Sequence, residues 1–150
     1  MRLNPVKEAS FPLLVSEGYK KTSPATRDYN CIAFAADVMD EWWWPDASGD
    51  GAWPEGVPRE TTRAAFVAAY GTLGYKPCKD GKLEKGYEKI ALYEKDGAPT
   101  HASKQLPDGR WKSKLGQWED IEHNTTRAVE THQGVGVYGS VALYFKRKNK

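Results

Sequence analysis

The chain is 150 residues long, with a formal charge of +2 and 12% aromatic residues. That length holds one domain around a single core, and a near-neutral balance without a basic stripe excludes a nucleic-acid footprint. Two cysteines, Cys31 and Cys78, make neither a disulfide framework nor a Cys-x-x-Cys pair, so no metal and no cofactor is expected.

In chain order, Met1 to Glu8 lacks the apolar core of a secretory signal, and no run reaches the length of a membrane span. The expectation is a cytoplasmic monomer with no membrane partner and reduced thiols, export without a cleavable signal being left open. Residues 1–27 offer one apolar patch, Phe11 to Val15, and room for one short helix. The first firm element is a helix from about Cys31 to Glu41. Its apolar positions Ile32, Ala35, Ala36 and Met39 recur at three and four, and Asp28 or Asn30 is the cap.

Pro45 to Pro58 holds three glycines and three prolines in fourteen residues, which forbids helix and sheet alike. A loop this long is functional or disordered, and four tryptophans between Trp42 and Trp53 argue against disorder. Either Trp43, Trp44 and Trp53 wall a substrate cleft or they pack in the core. A second helix runs from about Glu60 to Leu73, with Thr61 or Thr62 near its cap and Gly74 at its end. Cys78 follows in a connector and is structural.

From Tyr87 the pattern alternates, predicting strands over 87–94, 100–106 and 110–115 with turns at Lys95 to Pro99 and Pro107 to Gly109. A short helix over 124–132 and a strand over 136–145 follow. The domain spans 1–150, with Lys146 to Lys150 as a solvated basic tail.

Cys31 opens a helix, where unpaired N–H groups favour a thiolate, the nucleophilic form. The competing reading is a buried, inert side chain. A nucleophile needs a base, and the chain offers His101, His123 and His132. His101 stands among small residues on the middle strand. If Pro107-Asp108-Gly109 is a three-residue hairpin loop, Ser113 shares its face and Lys114 takes the other; a one-residue slip exchanges them. Asp120 and His123 also remain open for the third position. His123, among Glu119, Asp120 and Glu122, is assigned a surface or structural role, its acidic neighbours favouring a charged ring; His132 is assigned none.

The order Asn30-Cys31, Thr100-His101-Ala102 and Trp111 to Gly116 resembles the papain-like superfamily, nearest to its NlpC/P60-type bacterial amidases. Tyr29 to Ala35, Gly86 to Tyr93 and Thr100 to Gly116 also resemble an uncharacterised family of bacterial proteins. The superfamily resemblance implies an α+β, papain-like fold, an N-terminal helical part packed on a small antiparallel sheet. It implies Cys31 as nucleophile, His101 as general base, and the Cys31 N–H with the Asn30 side chain as oxyanion hole. The chain departs from the NlpC/P60 pattern in carrying Asn30 where aspartate is usual, and in lacking a His, Asn or Gln on the strand after His101.

These features lead to a cysteine-dependent amide hydrolase or acyl transferase working through a thioester. Its substrate would be a peptide, a protein side-chain amide or another amide; a deamidase or transglutaminase-like effector would share the site. The alternative is a non-catalytic papain-like scaffold serving as a binding or interaction module, with Cys31 buried.

Overall fold

The computed structural model describes residues 2–149. Two short helices open the chain, each with proline in its first turn: α1 (Pro5–Ala9), capped by Asn4 Oδ1 accepting from the Lys7 N–H at 2.9 Å, and α2 (Pro12–Glu17). Strand β1 (Tyr19–Ser23) follows, then helices α3 (Cys31–Ala35) and α4 (Arg63–Gly71). The remaining strands are β2 (Lys76–Cys78), β3 (Tyr87–Lys95), β4 (Ala98–Gln105), β5 (Trp111–Lys114), β6 (Asp120–His123) and β7 (Ser140–Lys148), with a 3₁₀ turn at Thr126–Val129 before the last.

All seven strands form one sheet in the order β1-β6-β5-β4-β3-β7-β2, every described neighbour antiparallel. Asp96 and Gly97, both at positive φ, turn β3 into β4 in the two-residue geometry that matches strand twist. The expected three-residue loop at Pro107 to Gly109 sets Lys104 opposite Lys112 and Gln105 opposite Trp111.

Alternation along β3 sends Ile90 and Leu92 to one face and Ala91 and Tyr93 to the other. The first face packs on α3, on Phe66 and Tyr70 of α4 and on Trp43; the second packs on Phe11, Leu14 and the 3₁₀ residues Ala128 and Val129. The sheet is therefore buried on both sides, which explains why so few of its strands alternate cleanly in sequence.

This corrects the expected papain-like arrangement. The sheet is the dominant element, not a small platform, and the longest helix has nine residues. Three local causes account for it. The helix expected to reach Glu41 stops at Ala35, because Asp37 takes a left-handed φ of 62° and the Val38 and Asp37 N–H groups donate back to Ala33 and Phe34. The Asp37 carboxylate then accepts from Lys104 and Lys112, which rewards that turn. The polar run Tyr19–Ser23 and the run Lys76–Cys78 with its Cys78 are the sheet's two edges, places where charged residues and proline are tolerated. The presumed basic tail is part of β7, where Lys146 and Arg147 pair with Lys89 and Glu88 of β3; Lys150 lies outside the described residues.

No helix among the described residues is long and apolar enough to cross a membrane.

Candidate active site

Asn30 caps α3 and ties it to the tryptophan loop. Its Oδ1 accepts from the Ala33 N–H at 3.1 Å and the Trp43 N–H at 3.0 Å, and its Nδ2 donates to the Trp43 carbonyl at 2.6 Å. One amide N–H of Asn30 stays uncommitted by these bonds. Cys31, the first helical residue, is 5% exposed. Its Sγ donates to the Thr100 carbonyl at 4.0 Å and faces the N–H of Ala102, so the sulfur lies against β4 on both sides of His101.

Burial pushes the thiol up to about 11, outweighing the backbone N–H groups and Lys114, which pull it down. The eased ionisation expected at a helix start is thus reversed. A five-residue helix carries little aligned dipole, and removing a thiolate from water costs more than that dipole returns.

His101 turns to the opposite face of β4. Its ring is fully buried, stacked on Tyr138 at 3.9 Å and edge-on to Tyr93 at 5.0 Å. Its Nε2 meets Ser113 Oγ at 3.1 Å, and Ser113 Oγ in turn meets His123 Nε2 at 2.8 Å and Ser103 Oγ at 2.7 Å. His123 Nδ1 reaches the Thr125 carbonyl at 2.7 Å. His101 Nδ1 is buried and has no hydrogen-bond partner among the described residues. Burial, then the neighbouring His123, holds His101 well below the usual imidazole range. Burial likewise depresses His123 to about 4, opposed by the Thr125 carbonyl.

Of the alternatives for the third position, Ser113 meets His101. Lys114 occupies the other face beside Tyr29, where Nζ donates to the carbonyls of Thr26, Gly116 and Trp118 at 2.7, 2.8 and 2.5 Å. Asp120 accepts from the Tyr29 hydroxyl and does not touch the histidine row. The surface role and charged ring suggested for His123 by its acidic neighbours are overturned. In β6, Asp120 and Glu122 alternate away from it, and His123 is buried and neutral.

A pocket of about 310 Å³ opens over Cys31, lined by Asn30, Trp42, Trp44, Thr100, Gly116 and Tyr138. Of the three tryptophans read as walling a cleft or packing in the core, Trp44 lines this pocket. Trp43 and Trp53 do not line this pocket: they pack edge to face on each other, Trp53 also packs on Phe66, and Trp43 is 7% exposed. Sequence reasoning did not single out Trp42 or Tyr138, and it left His123 among the groups open for the third position without joining it to Ser113. The signal for that link was Gly116, whose positive φ closes a hairpin from β5 into β6.

No curated protein and no solved structure matches the chain at a significant level. Residues 20–146, from within β1 to within β7, match the family model described as a domain of unknown function, DUF7689, and the chain belongs to that family.

Proposed function

We propose that the protein is a cysteine-dependent amide hydrolase or acyl transferase, with Cys31 as nucleophile and His101 as base. One observation carries this reading. The Cys31 sulfur lines an aromatic pocket and touches β4 on both sides of His101, whose imidazole has one nitrogen held by Ser113 and the other without a partner among the described residues. A raised thiol and a depressed imidazole make the resting pair neutral, so the chemistry is general-base attack and not a standing ion pair.

As sulfur bonds to the carbonyl carbon, the thiol proton passes to His101 Nδ1, for which the imidazole must swing out of its resting place on the far face of β4, where it makes no hydrogen bond to the sulfur. The Cys31 N–H and the free N–H of Asn30 stabilise the oxyanion. The C–N bond then breaks, the amine leaves with the proton from Nδ1, and a thioester remains. Water, or an acceptor amine, gives its proton to Nδ1 and displaces the sulfur, which recovers the proton. The substrate is a peptide, a protein side-chain amide or another amide, and the reducing cytosol is the compartment in which such a thiol stays active.

The test is acylation by 4-nitrophenyl butyrate, followed by intact-mass and peptide mapping. Cys31 takes the acyl group, Cys31→Ala folds and takes none there, and His101→Gln slows the reaction by roughly 10²–10⁴-fold. Equal labelling of Cys78 and Cys31, or an unchanged rate in His101→Gln, overturns the reading. Release of ammonia from a glutamine-bearing target, without chain cleavage, separates deamidation from peptide hydrolysis.

A second reading, a non-catalytic binding module, is favoured by the burial of Cys31 and the bond of its thiol to the Thr100 carbonyl. Under it the pocket binds aromatic ligands while Cys31 stays inert in the same assay.

A further inference from the structure

We propose that His123, acting through Ser113, is a positioning residue that fixes His101 as the Nε2–H tautomer and so leaves Nδ1 as its bare, basic nitrogen. The inference deepens the hydrolase reading and rests on it for its catalytic consequence, but the proton arrangement stands on hydrogen-bond geometry and burial.

The Thr125 carbonyl can only accept, so at 2.7 Å His123 Nδ1 must carry a proton and donate it. A neutral ring with its proton on Nδ1 has a lone pair on Nε2. The fully buried setting keeps that ring neutral near pH 7. Ser113 Oγ, 2.8 Å from that lone pair, therefore donates its single proton to His123. The same oxygen then has only lone pairs to offer His101, and at 3.1 Å the Nε2 of His101 must be the donor. Ser103 does not alter this, because its hydroxyl proton points either to Ser113 Oγ at 2.7 Å or to Tyr93 Oη at 3.1 Å, and neither choice returns a proton to Ser113. The Tyr93 hydroxyl is committed to the Thr126 carbonyl at 2.7 Å, so no donor enters from that side.

With Nε2 protonated, the neutral His101 ring has its lone pair on Nδ1, the buried atom without a partner among the described residues. An imidazole left to itself exchanges between tautomers; here one backbone carbonyl, read through two side chains, selects the form able to accept a thiol proton. Remove His123, and the Ser113 hydroxyl is free to donate to His101 Nε2, which moves the ring proton to Nδ1 and blocks the base.

The test is a long-range proton–nitrogen correlation spectrum of the ¹⁵N-labelled full chain at pH 7, with His101→Gln identifying the His101 signals. The wild type should show His101 protonated on Nε2 and His123 on Nδ1, each a single neutral tautomer. In His123→Phe a substantial His101 population should move to the Nδ1–H form. Acylation of Cys31 by 4-nitrophenyl butyrate should fall by on the order of 10²–10⁴-fold in kcat with little change in KM, as for a lost general base. Ser113→Ala, the milder variant, should lose the single-tautomer signature. Nδ1–H His101 in the wild type, or an unchanged tautomer in both variants, overturns the proposal, and the wild-type spectrum decides even where His123→Phe fails to fold. The expected spectra with an inert Cys31 would instead overturn the hydrolase reading alone.

Discussion

Asn30 is the residue on which the start of α3 and the tryptophan loop both depend. Its amide makes three hydrogen bonds, two accepted and one donated, at a site 3% exposed. Asn30→Ala should cost about 1–3 kcal/mol by urea unfolding, since it removes a helix cap and leaves the Trp43 backbone groups unpaired. Asn30→Asp should also destabilise, because it keeps the acceptors but sets a carboxylate against the Trp43 carbonyl. An Asp variant as stable as wild type would show that the Nδ2 bond contributes nothing. At this scale the sequence carried Cys31, His101 and Ser113 to the right elements, because cap chemistry and a hairpin loop are local. It did not carry the state of the thiol: burial depends on what Thr100 and Ala102 bring from β4 and Tyr138 from the loop before β7.

At the scale of elements, the register of β4 on β5 was legible, because Pro107-Asp108-Gly109 dictates a three-residue loop and the loop dictates which faces share a side. The row from His101 to His123 needed β6 as well, four residues whose one apolar position gave no periodic signal. The loop before β7 was still less legible, since its Tyr138 reaches His101 through tertiary packing. That loop is pinned at Gly139, where φ is 72° and the N–H and carbonyl pair with Thr131 at 2.9 and 2.8 Å. A Cβ at Gly139 would stand 1.9 Å from the Glu94 carbonyl oxygen. Gly139→Ala should therefore lose at least about 2 kcal/mol of stability, through both strain and displacement of backbone. It should also loosen Tyr138 from the His101 ring, visible as altered imidazole shifts. A loss under about 0.5 kcal/mol, within the ordinary range for surface changes, would rule out the close approach.

Across the whole molecule, a sheet covered on both faces hides its own pattern, and edges made of Tyr19–Ser23 and Lys76–Cys78 read as loop because their solvent side needs no apolar residues. The same double cover has a consequence for stability against pH. His101 and His123 are both wholly inside, and burial lowers both, the latter to about 4. Above the ordinary imidazole value both states of the protein hold these rings neutral, so the histidines contribute no pH dependence there. As pH falls below about 6.5, the unfolded chain takes up protons that the folded chain refuses. Stability should therefore decline from about pH 6.5 toward pH 4, by on the order of 3 kcal/mol for His123 alone at roughly 1.4 kcal/mol per pH unit, with His101 adding in the same direction. The window from pH 6.5 to 5 isolates the effect, because most carboxylates titrate below it. Urea midpoints across that window should slope downward in the wild type and flatten partly in His123→Phe, where one of the two proton-refusing rings is gone. A flat wild-type profile from pH 6.5 to 5 would mean that the rings are hydrated or paired in solution, and would remove the dry setting on which the proton arrangement between His101 and His123 depends.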